Sequence, residues 1–218
     1  MTWIKICGIT NLEDALTAVD AGADALGFVF YEKSPRNIDS ETAREIVAKL
    51  SGQVEKVGLF IDQSMDDIRA TAKEIALTAA QVYGDMDHVN KHGEGPCLKL
   101  IPALSLLLKQ DRPEDHAMMW NPDAVYAFLL DSGAGANLGG TGQTFDWVAS
   151  KSAVEIIKRL GNVIVAGGLT PENVGEAMRI LSPWGVDISS GVEARPGKKD
   201  PAKVRAFIDA VRRADSKN

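Results

Sequence analysis

Residues 5–10 of the sequence read Lys5-Ile6-Cys7-Gly8-Ile9-Thr10. They close a short apolar run with a cysteine and a glycine, and the residues that follow have the spacing of a helix. The apolar face of that helix, at i, i+3, i+4 and i+7, consists of Leu12, Ala15, Leu16 and Val19. Asn11 before this face and Asp14 three residues later resemble a helix-capping signal. The stretch therefore predicts a strand, a cysteine at its carboxyl end, a tight turn and a helix.

Cys7 has two interpretations at this point. In parallel α/β proteins the carboxyl ends of the strands are where ligands bind, so a thiol there can be aimed at a substrate. A free cysteine is also commonly a small buried hydrophobe with no chemical role. The stretch alone leaves both interpretations open.

Short apolar runs and helix-like segments alternate along the whole chain. The predicted strands comprise residues 3–6, 25–30, 57–61, 79–82, 97–101, 126–130 and 163–166, with the eighth beginning at residue 186. Strands that are apolar on both faces are typical of a parallel sheet covered by helices. An open, doubly wound sheet has the same alternation, but the count of eight favours an α/β fold of the single (β/α)8 TIM-barrel type. No composition shift or long linker divides the chain, so residues 1–218 are predicted to form one domain.

The helix predictions differ in their supporting signals. Thr170 as N-cap and Pro171 at the first position predict one helix, and Asp200-Pro201 predict the start of the last one. Periodicity predicts further helices near residues 40–50, 65–75 and 147–160. The region from Leu104 to Asp123 has the weakest pattern, for which we expect a helix with an irregular exit.

The composition limits the classes of function. The chain has 218 residues, 45% apolar and 25% charged, which is ordinary for a globular protein. Its formal net charge of -6 argues against a nucleic-acid partner. We expect no membrane association, because no apolar run is long enough to span a bilayer. The two cysteines, Cys7 and Cys97, form neither a disulfide framework nor a zinc pattern, so a reducing cytoplasm is the expected location.

Several polar residues follow predicted strands, where a barrel would place its active site. Cys7 ends the first strand and Asp131 ends the sixth. A thiolate base and a carboxylic acid on opposite sides of one substrate form a proton-shuttling pair. Asp131 can also be interpreted as a carboxylate that only caps a nearby backbone amide, and its position does not decide between the two.

Two loops have features of phosphate binding. Gly167-Gly168 lie before a predicted helix start, where free N–H groups and the helix dipole favour an anion. Ser189-Ser190-Gly191 follow the eighth strand and supply further donors. Phosphate sites made from the loops after strands seven and eight recur in TIM barrels. Glycine needed only for packing is the alternative, and it is less convincing for two loops than for one.

Two other patterns do not predict sites. The loop Gly139-Gly140-Thr141-Gly142 contains neither a dinucleotide fingerprint nor a P-loop lysine. His88 and His92 have the i, i+4 spacing of metal ligands but lie in a strongly polar segment. A solvated segment is the better interpretation, and we predict no metal site.

Five segments, in order and spanning nearly the whole chain, resemble the phosphoribosylanthranilate isomerase family. They are residues 5–10, residues 27–36 with Ser34-Pro35-Arg36, residues 139–147, residues 166–169 and residues 187–193. The resemblance implies the barrel and one step of tryptophan biosynthesis, an Amadori rearrangement without a cofactor. In that step N-(5-phosphoribosyl)anthranilate becomes 1-(2-carboxyphenylamino)-1-deoxyribulose 5-phosphate.

The resemblance also implies roles for individual residues. The general base falls on Cys7, the general acid on Asp131, and the arginine near the anthranilate group on Arg36. Asp187 and Tyr83 fall among the substrate-binding positions. For this chemistry Asp131 must start protonated and Cys7 ionised, which requires opposite shifts of their pKa values.

Tyr83 departs from the family pattern, which has Gln-Leu-His-Gly where this chain has Gln81-Val82-Tyr83-Gly84. A barrel with an altered phosphosugar substrate, or a non-catalytic one, is therefore an alternative. A histidine-pathway isomerase is a further rival, but its mechanism would have an aspartate at the position of Cys7. The expected partner is a small phosphosugar, and the chain is expected to be a monomer or a homodimer.

Overall fold

The structure is a computed structural model that describes residues 1–84, 98–106, 112–132 and 144–216. Eight parallel strands close into a barrel in chain order, so the predicted (β/α)8 TIM barrel is confirmed. The strands are β1 (Trp3–Cys7), β2 (Ala25–Val29), β3 (Glu55–Ile61), β4 (Ala79–Tyr83), β5 (Lys99–Ser105), β6 (Phe128–Asp131), β7 (Val163–Val165) and β8 (Gly185–Ile188). The barrel closes where β8 pairs with β1.

The helices lie outside the barrel. They are α1 (Leu12–Asp20), α2 (Ser40–Val47), α3 (Met65–Ile75), α4 (Pro113–Met118), α5 (Trp147–Ile157), α6 (Val174–Leu181) and α7 (Pro201–Asp215). A short hairpin of β9 (Glu193–Arg195) and β10 (Lys198–Lys199) lies between β8 and α7. The segment after β4, in which the fourth helix would fall, lies outside the described residues, as do Cys97, His88 and His92. In the described part of the chain no helix is long and apolar enough to cross a membrane.

Strand alternation divides the core into two layers. On β1, Ile4 and Ile6 belong to the layer between barrel and helices, whereas Trp3 belongs to the barrel interior. Lys5 and Cys7 have the same parity as Trp3 and are buried with it. The interior is therefore apolar near the amino ends of the strands and polar near their carboxyl ends.

Two helix starts agree with the sequence signals. Asn11 caps α1 by accepting a hydrogen bond from the Asp14 backbone N–H. Asp200 caps α7, and Pro201 occupies its first position. In both cases a short polar side chain satisfies an N–H group that the helix leaves free.

Two predicted boundaries are wrong. The fifth strand runs to Ser105, so Leu104 belongs to a strand and not to a helix, and the described helices of that region are α4 and a short 3-10 helix at Pro122–Ala124. Helix α6 begins at Val174 with Asn173 as N-cap, not at Thr170. The Thr170 hydroxyl instead accepts a hydrogen bond from the Glu172 backbone N–H, in the turn that precedes the helix.

Candidate active site

A cavity opens at the carboxyl ends of the strands, with about 630 Å³ of empty space that includes solvent at its mouth. Its lining includes all ten residues predicted as site residues: Cys7, Arg36, Tyr83, Asp131, Gly167, Gly168, Asp187, Ser189, Ser190 and Gly191. They come from six of the eight strand ends and the loops that follow them. The closed barrel brings them together because parallel strands all end on the same face.

The thiol of Cys7 lies above a buried ion pair. The Nζ of Lys5, with no exposed surface, donates to Asp187 Oδ1 at 3.0 Å. The register places these two residues side by side on the first and last strands. Cys7 pairs in register with Gly27, and a Cβ at Gly27 would lie 2.7 Å from Cys7 Sγ and 3.1 Å from Lys5 Cε. The missing side chain at Gly27 therefore leaves room for the thiol and the lysine.

The protonation of Cys7 differs from the expectation of an ionised thiol. Burial raises the pKa of Cys7 above its ordinary value, and the Lys5 ammonium only partly opposes this. For Lys5, burial lowers the pKa, but the negative charge of Asp187, joined by that of Cys7 when the thiol ionises, outweighs it and raises the pKa. Lys5 is therefore a fixed cation beside a thiol that is mostly protonated at neutral pH.

Asp131 is held by a hydrogen-bonded chain from β4. Gln81 Nε2 donates to the hydroxyl of Tyr83 at 3.0 Å, and that hydroxyl donates to Asp131 Oδ2 at 3.0 Å. Burial, followed by the negative charge of Asp131, raises the pKa of Tyr83 well above its ordinary value. The phenol is thus a neutral donor, and Asp131 is a buried carboxyl that lines the cavity.

Arg36 lines the cavity but is already paired. Its Nε and Nη2 donate to the two carboxylate oxygens of Glu193, each at 2.8 Å. The Nζ of Lys199 also donates to Glu193 Oε1, at 3.0 Å, and to the backbone oxygen of Ser189 at 3.1 Å. Burial would raise the pKa of Glu193, but the two cations lower it below its ordinary value. Glu193 therefore orients the guanidinium, and no described residue accepts a hydrogen bond from Nη1.

The two predicted phosphate loops lie beside each other. Gly167 and Gly168 have φ values of +79° and +61°, a left-handed conformation that glycine adopts without strain. Ser190–Val192 form a short 3-10 helix directly after β8. The hydroxyl of Ser189 is buried and has no hydrogen-bond partner among the described residues. Because α6 begins at Val174, the N–H groups near the glycines belong to a turn and not to the first turn of that helix.

Sequence reasoning missed four residues that shape the site: Lys5, Gln81, Glu193 and Lys199. Lys5 could have been found, because a lysine with the parity of Cys7 must point into the barrel. Gln81 could have been found in the same way, since it has the parity of Tyr83 on β4. Lys199 gave no such signal, because its position depends on the β9–β10 hairpin. Among the described residues no cluster of potential metal ligands is present, and the loop from Gly133 to Gly142 lies outside the described residues.

A closed barrel with a buried thiol and carboxyl at one cavity, beside two loops suited to phosphate, has the layout of a barrel isomerase for a phosphorylated sugar. Residues 4–210 match the family model described as N-(5'-phosphoribosyl)anthranilate (PRA) isomerase. The chain belongs to this family.

Relatives of known sequence and structure agree with this assignment. N-(5'-phosphoribosyl)anthranilate isomerase of Geotalea uraniireducens is 46% identical over 215 residues, covering 95% of this chain and 97% of that protein. The Chlorobaculum tepidum protein of the same name is 42% identical, covering 99% and 97%. The crystal structure of phosphoribosyl anthranilate isomerase from Thermotoga maritima superposes with a TM-score of 0.85 at 38% identity, covering 97% of this chain and 99% of that one.

Proposed function

We propose that this chain catalyses the isomerisation of N-(5-phosphoribosyl)anthranilate to 1-(2-carboxyphenylamino)-1-deoxyribulose 5-phosphate, in tryptophan biosynthesis and without a cofactor. The observation that carries the proposal is the meeting of Cys7 and Asp131 at one cavity that also contains both phosphate loops. Family membership supports the same reaction. A related structure, 36% identical with a TM-score of 0.81 and covering 97% of this chain and 99% of that one, is a complex with reduced 1-(o-carboxyphenylamino)-1-deoxyribulose 5-phosphate.

The reaction needs two proton transfers, and the site has a group for each. Asp131 gives its proton to the ribose ring oxygen, the bond from that oxygen to C1 breaks, and the nitrogen lone pair forms an iminium. The Cys7 thiolate then removes the proton from C2, which gives an enolamine that tautomerises to the ketone. Both groups are placed in advance, as general acid–base catalysis requires.

The raised pKa of Cys7 determines what fraction of the Cys7–Asp131 pair is in the reactive protonation state. The reactive form has a proton on Asp131 and none on Cys7, and in the empty site this form is a minority because the thiol holds its proton. The Lys5 ammonium stabilises the thiolate when it forms, since the two are electrostatically coupled. Catalysis through this minor protonation state lowers the rate, but it requires no further acid or base.

The remaining site residues have binding roles in this proposal. The phosphate is bound by Gly167, Gly168, Ser189, Ser190 and Gly191. It accepts a hydrogen bond from the buried Ser189 hydroxyl, which has no partner among the described residues. Arg36, oriented by Glu193, meets the anthranilate carboxylate with its free Nη1. Asp187 and Tyr83, which also line the cavity, contact the sugar.

Substitution of the acid and of the base tests the proposal. Cys7→Ser and Asp131→Asn should each lower kcat by about 10²–10⁴-fold, because neither replacement can carry the proton. Turnover is followed by the fluorescence of the anthranilate adduct, and affinity by binding of the reduced product analogue. Both variants should melt and bind as the wild type does. Retention of more than about a tenth of the wild-type rate by either variant would contradict its role.

A phosphosugar-binding barrel with an altered substrate is the second candidate, and Tyr83 in place of the family histidine favours it. The hydroxyl of Tyr83 bonds Asp131, so the substituted ring touches the proposed acid directly. Tyr83→His separates the candidates. A modest change in kcat/KM on the anthranilate substrate supports the first, whereas a gain of about 100-fold, the scale of a misplaced reacting group, supports the second.

We further infer the cytoplasm as the location and a monomer or homodimer as the assembly. The net charge of -6 argues against nucleic acid as a partner. A related structure, 36% identical with a TM-score of 0.82, is described as monomers generated from a dimeric isomerase of Thermotoga maritima. Sedimentation equilibrium over a hundredfold concentration range decides between monomer and dimer.

A further inference from the structure

Gln81 has an unused hydrogen-bonding atom inside the candidate active site. The residue is fully buried on β4 and lines the cavity. Its Nε2 donates to Tyr83, but its Oε1 has no hydrogen-bond partner among the described residues. Buried acceptors without a donor are rare in folded proteins and call for an explanation.

The orientation of the Gln81 amide follows from its neighbours. The Tyr83 hydroxyl has one proton, which it donates to Asp131, so it must accept from Gln81. The amide nitrogen therefore faces Tyr83, and the carbonyl oxygen is the atom left over. Burial keeps the phenol protonated, so this direction of donation holds across neutral pH.

The buried side-chain nitrogen and oxygen atoms that have no hydrogen-bond partner among the described residues fall into two groups. Ser189 Oγ and Gln81 Oε1 belong to residues of the cavity, whereas the Nε1 atoms of Trp120 and Trp147 do not. The Ser189 hydroxyl is already accounted for by the phosphate. Gln81 is one hydroxyl away from Asp131, so its partner belongs to the end of the substrate where the ring opens.

We propose that Gln81 is a catalytic residue whose Oε1 accepts a hydrogen bond from the anilino N–H of the substrate. The inference rests on the proposed function, because that nitrogen is bonded to C1, the same carbon as the ring oxygen that Asp131 protonates. When the ring opens, the nitrogen lone pair becomes the second bond to C1 and the nitrogen keeps its hydrogen. The N–H is then cationic, and a hydrogen bond from a cationic donor is about twice as strong as a neutral one.

This arrangement links the two events of ring opening. Asp131 becomes a carboxylate as it loses its proton, and Tyr83 stabilises it by donating. The nitrogen becomes an iminium, and Gln81 stabilises it by accepting. The same amide anchors Tyr83 through Nε2, so one side chain acts directly on the nitrogen and, through the Tyr83 hydroxyl, on Asp131.

The test combines a variant with a changed ligand. Gln81→Met is close in shape but offers only a thioether sulfur, which is a weak acceptor, and it should lower kcat by about 10–100-fold. Binding is measured for two inert ligands, the reduced product analogue with its N–H and the same molecule with an ether oxygen in place of the nitrogen. The wild type should bind the ether about tenfold more weakly, and Gln81→Met should bind both equally. The exposed Gln53→Met is the matched control and should behave as the wild type does.

Each outcome bears on one of the two proposals. A wild type that binds both ligands equally overturns the role of Gln81, and this result needs no folded variant. Unchanged kcat in a folded Gln81→Met, with normal wild-type turnover, overturns it as well. Absence of wild-type turnover on the anthranilate substrate overturns the proposed function itself, and the role of Gln81 with it.

Discussion

Cys7 illustrates at the scale of one residue why position and protonation are separate problems. Its place at the end of the first predicted strand correctly located it in the cavity, because strand ends share one face of the barrel. Its ionisation was expected in the wrong direction. That property depends on how deeply the thiol is buried and on the distance to Lys5, neither of which the order of residues gives.

The pH profile of kcat/KM reports on this thiol. The reactive form holds one proton on the Cys7–Asp131 pair, so its fraction falls when the second proton, that of the thiol, is lost. Because the pKa of Cys7 is raised above its ordinary value of 9.0, we expect the alkaline decline above pH 9. Steady-state rates between pH 6 and about pH 10.5 would test this. A decline that begins below pH 8 would show that the thiol is ionised at neutral pH, contrary to the structure.

For the charged residue Arg36, too, the sequence predicts the position but not the interactions. Its place at the cavity was correctly predicted, but its pairing with Glu193 depends on the chain returning to this point 157 residues later. The carboxylate holds the guanidinium through two donors, a geometry that lysine cannot reproduce. Only the folded chain shows that this cation is fixed in direction before any substrate arrives.

At the scale of elements, local signals succeeded where one side chain decides the conformation. Asn11 and Asp200 cap α1 and α7 because each meets an N–H group within three residues. The helix α6 itself was correctly predicted but its start was wrong, because Thr170 caps only a turn and the helix begins at Val174. The fifth strand was predicted to begin and end too early in the sequence. Pro102 and Ser105 interrupt its apolar pattern, although the strand pairs with β4 on one side and with β6 on the other.

The packing of β1 on β2 gives a prediction at this scale. A Cβ on Gly27 would come within 2.7 Å of the thiol sulfur and 3.0 Å of the Cys7 Cα. Gly27→Ala should therefore displace Cys7 and lower kcat by about 10–100-fold, since a displacement of about 1 Å can cost 10²-fold. Affinity for the reduced product analogue should change much less. Gly52→Ala, at a position with open space around it, is the control. Wild-type kcat in Gly27→Ala would mean that the strands separate freely and that the thiol is not held by them.

The whole molecule is closed by contacts between its two ends. The first strand pairs with the eighth, and α7 packs against α1. Thr2 donates to Asp215 from its backbone N–H at 2.9 Å, and Arg212 donates to the Thr2 backbone oxygen at 2.6 Å. The sequence predicted this closure only through the count of eight units, because closure itself is a relation between residues about two hundred positions apart. This closure is also the reason to expect that residues 1–218 form one domain.

Unfolding tests that expectation. Phe207 lies on α7, fully buried against the barrel, and Phe207→Ala removes most of a core side chain. The loss of about 3–5 kcal/mol should lower the melting temperature by roughly 6–20 °C. If the chain is one domain, this change near one end weakens the barrel everywhere. Far-ultraviolet circular dichroism and tryptophan fluorescence, with Trp3 and Trp184 stacked at the amino end of the barrel, should then lose their signals in one coincident transition in both proteins. Phe207→Ala with a second transition left at the wild-type temperature would mean that part of the barrel folds without α7, and that the chain comprises two domains.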